Sequence, residues 1–116
     1  MATRTPSASR TGVNHEQIMV VWSGLLNGDD GGPFQQNGFG DRSVTFTGTF
    51  GTGGSVQLEG SNDGANWFVL SDPSSTTIVK TAAAIEQVLE LSLYVRPRVT
   101  AGDGTTNLEC RVLFTR

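Results

Sequence analysis

Few side chains in this chain of 116 residues could transfer a proton, attack a substrate or bind a transition metal. His15 is the only histidine and Cys110 the only cysteine. A structural or catalytic zinc ion takes about three or four protein ligands, mostly His and Cys. A Ser-His-Asp triad would have to use His15, which lies in a polar segment where nothing positions it. We therefore expect neither a zinc centre nor this type of nucleophilic catalysis.

Oxygen ligands and glycine-rich turns are the other candidates for chemistry. Asp29 and Asp30, with Asp41 further along, could bind calcium, but they lack the ligand spacing of an EF-hand loop. The Gly-Thr-Gly-Gly segment at 51–54 joins two predicted strands, and no Lys-Ser/Thr pair or helix follows it as in a phosphate-binding loop. We interpret Cys110, which lies in an apolar alternation, as a small core residue. The sequence predicts a protein that is not an enzyme and that uses no metal or cofactor.

The composition narrows the choice of partners. The net charge of −3 argues against a general nucleic-acid binder. No apolar run approaches the ~20 residues of a membrane span, so no membrane partner is expected. A single cysteine excludes an internal disulfide and favours assembly in the cytosol. Lys80 is the only lysine, and the remaining cations are arginines, which suit fixed contacts with protein.

The elements that would position these residues are strands, because apolar residues recur at every second position. In the last strand, for example, Leu108, Cys110, Val112 and Phe114 share one parity. The Asn-Asp-Gly triplet at 62–64 predicts a hairpin turn, and the turn at 101–104 is expected to close a second hairpin. The predicted strands are 17–26, 42–50, 55–60, 66–70, 76–80, 86–91, 93–100 and 107–115.

One segment, 81–91, is ambiguous. Its alanines, Glu86 and Gln87 have good helix propensity, and Ile85, Val88 and Leu89 fit a helical face. Eleven residues make a marginal helix, however, and the neighbouring segments are all strands. We favour a turn at the alanines and a strand over 86–91.

These elements predict an all-β fold, an antiparallel β-sandwich or jelly roll of seven or eight short strands. Residues 17–116 would form a single domain. Residues 1–16 have almost no apolar side chains and should form a flexible N-terminal arm, which either frays or becomes ordered against a partner. The long loop at 27–40 should be functional or reach outward.

Arginines and aromatics supply the candidate partner-binding residues, which are Arg4, Arg10, Phe34, Phe39, Tyr94, Arg96, Arg98 and Arg111. Phe34 and Phe39 lie in the glycine-rich loop and need either the core or a neighbour as a host. The residues at 94, 96 and 98 share one face of a predicted strand, and Arg111 joins them if the last two strands pair. Two interpretations stay open: a face neutralised by Glu109, Glu86 or Glu90, or a contact patch for a protein.

Trp67 follows the predicted hairpin turn and has two interpretations. It could stack on a sugar ring, or it could pack in the core at the end of the sandwich. We favour core packing, because Phe68 and Leu70 also need burial and only one parity of a strand lies inside.

Two resemblances to known families follow from these motifs. The run 60–67, Gly-Ser-Asn-Asp-Gly-Ala-Asn-Trp, is similar to one edge of the discoidin-type carbohydrate-binding sandwiches. Residues 43–116 resemble small phage virion proteins. The shared motifs are Gly-Thr-Phe-Gly at 48–51, the turn at 61–64, Tyr-Val-Arg-Pro at 94–97 and the Gly-Asp-Gly turn before the last strand.

The second resemblance implies a head decoration (cement) protein that binds the outside of an icosahedral capsid. Its partner would be the major capsid protein, and it would form a homo-oligomer, with a trimer favoured over a dimer. It would be assembled in the host cytoplasm and located on the capsid surface of the virion. The alternatives are a phage neck or tail protein, or a carbohydrate-binding or adhesin-like module. The last of these requires Trp67 or Phe34 to be exposed on a polar groove.

Overall fold

The computed structural model of the chain describes residues 2–12, 16–35 and 40–115. His15 and Phe39 lie outside these ranges. Within them the secondary structure is entirely β, and no helix is present that could cross a membrane. The strands are β1 (Thr3–Arg4), β2 (Ser7–Thr11), β3 (Gln17–Leu25), β4 (Asp30–Gly31), β5 (Phe34–Gln35), β6 (Asp41–Thr49), β7 (Ser55–Ser61), β8 (Phe68–Val69), β9 (Val79–Lys80), β10 (Ala84–Gln87), β11 (Tyr94–Ala101) and β12 (Asn107–Thr115).

The strands form two sheets, which confirms the prediction of an all-β sandwich. One sheet has the order β10-β6-β12-β3-β2. The other has the order β1-β4-β11-β7-β8, with β5 on β11 and β9 on β7. All strand pairs are antiparallel except β1 with β4.

The core lies between the sheets and follows the alternation in the sequence. Val44 and Phe46 of β6 and Val56 and Leu58 of β7 belong to this core, and all four are almost fully buried. Each side chain of this kind stabilises the fold by about 1.5–3 kcal/mol relative to an exposed one. The inward residues predicted for the last strand are buried, as expected, and they include Cys110.

The ambiguous segment forms a strand, but earlier than predicted. β10 covers Ala84–Gln87 and pairs with the edge of β6. The amide of Val88 still donates to the carbonyl of Arg42 in β6 at 3.0 Å, but the amide of the next residue, Leu89, donates to the carbonyl of Ser71, outside that sheet, at 2.8 Å. The strand therefore ends where the chain begins to bridge the two sheets.

The turn at 101–104 does not close a hairpin, which corrects the prediction. β11 and β12 lie in different sheets, and the turn carries the chain from one sheet to the other. The turn at 51–54 makes the opposite crossing beside it. The carboxylate of Asp103 joins the two crossings, because it accepts a hydrogen bond from the amide of Thr52 at 2.8 Å.

The N-terminal segment also differs from the expectation of an arm without order of its own. β1 pairs with β4 of one sheet, and β2 pairs with β3 at the edge of the other. These residues are held by backbone hydrogen bonds and by the carboxylates of Asp29 and Asp30 rather than by apolar burial. Hydropathy does not reveal contacts of that kind.

Candidate functional site

The predicted arginine face of β11 exists, and it lies on the outside of the seven-stranded sheet. Tyr94, Arg96 and Arg98 share one parity, while the alternate residues Val95 and Val99 are buried. Opposite them on β7 lie Ser61, Glu59 and Gln57, in that order. The face is therefore built from two neighbouring antiparallel strands.

Arg96 is the centre of this face and is held from three sides. Its Nε donates to Oε1 of Glu59 at 2.9 Å, and its Nη1 lies 3.5 Å from Oδ2 of Asp30. Its guanidinium carbon lies 4.1 Å from the centroid of the Trp67 ring. The second Glu59 oxygen accepts from Gln57 at 2.6 Å. The carboxylates that neutralise Arg96 are thus Glu59 and Asp30, not the three glutamates considered from the sequence.

The prediction that Trp67 packs in the core is wrong. Its ring is half-buried and covers Arg96 on the outer face. Phe68, which was expected to need burial, is 70% exposed. The physical reason is the position of β8, a strand of two residues at the edge of the sheet, where Phe68 pairs with Gly60. The core begins again only at Leu70.

Arg111 does not join the arginine face. It lies on β12 in the other sheet, paired with Val21 and Thr45, and its guanidinium binds Glu109 on the same strand. The condition that the last two strands pair is not met, which corrects the placement of this residue.

Phe34 has its host within the domain. Its ring centroid lies 5.6 Å from that of Phe114, and the side chain packs against the core. The guanidinium carbon of Arg42 also lies over the Phe114 ring, 5.2 Å from its centroid. Arg42 is buried and donates to the carbonyl of Ser92 at 3.2 Å, and its burial lowers its pKa to about 10. The sequence contained a signal for Arg42, since it shares the inward parity of Val44.

Arg4 binds within the chain, through Asp29. The Asp29 carboxylate accepts from Nε of Arg4 and from the amides of Ala2 and Leu26, each at 2.9 Å. Burial by itself raises the pKa of Asp29, but the bonds from Leu26, Arg4 and Ala2 outweigh it and the pKa is lowered. Arg10 is exposed on the edge strand β2, opposite Ile18.

The neighbouring acid, Asp30, is also engaged by the N-terminal segment, because Thr3 donates to it at 2.7 Å. Asp29 and Asp30 were the oxygen ligands considered for calcium. In the part of the chain that the structure describes, no three His, Cys, Asp or Glu side chains are grouped so that they could hold a metal ion.

A cleft of about 350 Å³, which the sequence reasoning did not find, lies beside Phe68 at the end of β7. Its lining residues are Gly60, Ser61, Asn62, Asp63, Asn66, Phe68, Leu70, Glu90 and Ser92. The glycine gives the cleft its depth, since a Cβ at Gly60 would lie 2.4 Å from Oγ of Ser92 and 2.6 Å from Cδ2 of Leu70. The only signal in the sequence was the hairpin turn, which forms one wall.

Most of the exposed large apolar side chains belong to one segment of the chain, which begins at Phe68 of the cleft. Of the six large apolar residues that are exposed in the described ranges, five come from the segment 68–91. They are Phe68, Val79, Ile85, Leu89 and Leu91. This segment supplies β8, β9 and β10, and β9 lies beside β10 at one side of the sandwich, because Lys80 binds Glu86 at 3.1 Å between the two sheets. The candidate functional surfaces are thus the arginine face and this apolar side with its cleft.

These features define a two-sheet β-sandwich with an outer arginine face and with exposed apolar residues in the segment 68–91. No protein-family model and no curated protein matches the chain. Among solved structures, the crystal structure of the SPBc2 prophage-derived protein YomS is similar, with a TM-score of 0.59. The match covers 86% of this chain and 95% of that chain at 10% sequence identity. At this level of identity, the likeness shows a common fold.

Proposed function

We propose that this chain is a structural protein of a phage particle, and that it decorates the outside of an icosahedral head as a cement protein. The observation that carries the proposal is the fold shared with a prophage-derived protein over most of both chains. The motif resemblance of residues 43–116 to small phage virion proteins points in the same direction. In this role the chain binds the major capsid protein, is assembled in the host cytoplasm and catalyses no reaction.

The apolar side of the sandwich supports a binding role. Soluble proteins rarely expose many large apolar side chains in one region unless the region contacts a partner. Here Ile85 is 66% exposed and Leu91 is 58% exposed, and neither lines the cleft. We expect residues 85–91 of this segment to be covered by the shell or by another copy of the chain.

Oligomerisation is part of the proposal, with a trimer favoured over a dimer. β10 ends the five-stranded sheet among the described strands. An edge strand offers backbone groups for pairing with another chain. A stable interface of about 800 Å² per partner would add to the modest stability of a domain of this size.

The test is binding to the heads of the phage that encodes the chain, prepared without the protein. We expect saturable binding by sedimentation, with a copy number that matches the symmetry of the shell, and an oligomer by light scattering. Leu89→Ser, within the apolar segment, should weaken binding, whereas Leu26→Ser, a similarly exposed leucine outside it, should not. Absence of binding to heads would refute the decoration role. Binding to tails or necks alone would replace it with the alternative phage role.

A further inference from the structure

The cleft at the end of β7 combines one exposed aromatic wall with a polar rim. Phe68 forms the wall, while Gly60 and Leu70 contribute apolar atoms to the lining. The rim carries hydroxyl, amide and carboxylate groups from Ser61, Asn62, Asp63, Asn66, Glu90 and Ser92. Binding sites for small ligands typically have this size, a mostly apolar lining and a few polar groups that fix the ligand.

The rim groups of the turn are held in place before any ligand arrives. Oδ1 of Asp63 accepts from the amides of Ala65 and Asn66 at 2.8 Å, and its Oδ2 accepts from the Asn66 side chain at 2.6 Å. The Asn62 side chain accepts from the amide of Leu93 at 2.9 Å. Gly64 completes the turn with a φ of +77°. A rim that is already ordered loses little conformational entropy on binding, which favours affinity.

Glu90, on the other wall, is held in the same way. Its Oε1 accepts a hydrogen bond from the amide of Ser71 at 2.6 Å. Ser92 is fixed as well, because its hydroxyl donates to the carbonyl of Tyr94 at 2.8 Å. The two walls of the cleft therefore come from separate segments, the hairpin turn and the crossing at 90–92, and both are anchored to the sheet.

The charge of the cleft selects among ligands. Asp63 and Glu90 are acidic, and the lining residues in the described part of the chain include no lysine or arginine. Hydrogen bonds from the amides of Asn66 and Ala65 lower the pKa of Asp63 far below its usual range, so this carboxylate stays ionised. An anionic ligand would be repelled, whereas hydroxyl or amino groups can donate to the carboxylates.

We propose that the cleft binds a ring of a neutral or amino-bearing saccharide, with the C–H face of the ring on Phe68 and its hydroxyl groups on the rim. A saccharide ring has one apolar face and a polar periphery, which matches an aromatic wall beside carboxylates and amides. This assigns a sugar-binding role to Phe68. The residues that the sequence offered for such a role do not fit it, because Trp67 covers Arg96 and Phe34 packs on Phe114.

The test uses the full chain, an array of neutral, amino and acidic glycans, and NMR titration with the simple methyl glycosides of the glycans that bind. We expect neutral or amino sugars to bind and to shift the amide resonances of residues 60–70 and 90–92. Phe68→Ala should weaken binding at least fivefold, and it should fold because the side chain is mostly exposed. Ile85→Ala is the matched control, since Ile85 is 66% exposed and does not line the cleft.

A second variant, Glu90→Gln, keeps an acceptor for Ser71 and removes one charge. It should weaken binding of amino sugars more than binding of neutral ones. The proposal is overturned if no saccharide binds, if only acidic glycans bind, or if Phe68→Ala binds as well as the unaltered chain. Sedimentation with phage heads is a separate measurement, so a failure here leaves the decoration role to be judged by its own result.

Discussion

Gly31 offers a sharp test of the packing between the two sheets. A Cβ added at this position in β4 would lie 2.5 Å from Cδ of Pro97 and 2.6 Å from both Cδ1 and Nε1 of Trp22. Ordinary contacts between such atoms are about 3.5–4.0 Å. Alanine at position 31 therefore requires a displacement of about 1 Å. Both neighbours are rigid rings, and Trp22 is fully buried and donates through Nε1 to the carbonyl of Gly32 at 2.9 Å.

The expected cost follows from these contacts. Overpacking a filled core typically costs about 1–3 kcal/mol. If the indole moves, its hydrogen bond weakens, which adds about 1 kcal/mol. We expect Gly31→Ala to lower the free energy of unfolding by about 2–4 kcal/mol, and to lower Tm by an amount on the order of 10 °C.

The assay is urea unfolding followed by tryptophan fluorescence and far-ultraviolet circular dichroism. Gly104→Ala is the matched control, because a Cβ at Gly104 would meet no atom within 4 Å. Gly53→Ala separates packing from backbone strain, since Gly53 also has open space but a φ of +70°. It should cost only about 1 kcal/mol. A Gly31→Ala variant as stable as Gly104→Ala, within about 0.5 kcal/mol, would refute the reasoning.

Three further predictions concern polar groups. Asp29→Asn should accelerate hydrogen exchange in residues 2–11 about tenfold, by weakening the charge-assisted bond with Arg4. The pKa of Asp29 is lowered in the folded chain, so its carboxylate should stabilise the unaltered chain above about pH 4 and lose this effect as the pH falls further. Cys110 should be unreactive towards a thiol reagent at pH 8 and react once urea unfolds the chain, because burial raises its pKa; rapid reaction in the native state would contradict its placement. Asp103→Ala should accelerate exchange of the Thr52 amide, with β12 unchanged, and slow exchange there would show that the two crossings are joined in another way.

The sequence was sufficient to predict the strands that bury one face. Residues such as Val56 and Leu58, or Leu108 and Val112, repeat at every second position because one side of each strand faces the core. The hairpin of β7 and β8 was also predictable, since the Asn-Asp-Gly turn has its own chemistry. In these places the burial of one strand face, or the backbone chemistry of the turn, determines both the sequence pattern and the structure.

The rest depends on pairing between distant segments. Nothing local to Arg111 indicates that β12 lies between β6 and β3 rather than beside β11. The pairing of β1 with β4 and of β2 with β3 rests on backbone groups, which leave no periodic signal in the sequence. The cleft was missed because it needs two separate segments, and because Phe68 lies just beyond the edge of the core. The sequence could predict the residue types of the candidate contact surface, but not which of them lie together.

The position of β12 has a consequence for synthesis in the cell. This strand lies in the middle of the five-stranded sheet, between β6 and β3, yet it is translated after both of them. Until it emerges, β3 and β6 have no common partner, and their apolar faces and open edges are exposed in the nascent chain. The sheet can therefore close only late, after translation of residue 115. A chain truncated before that point would lose the central strand of its sheet rather than an edge strand. It would be a substrate for chaperones and proteases.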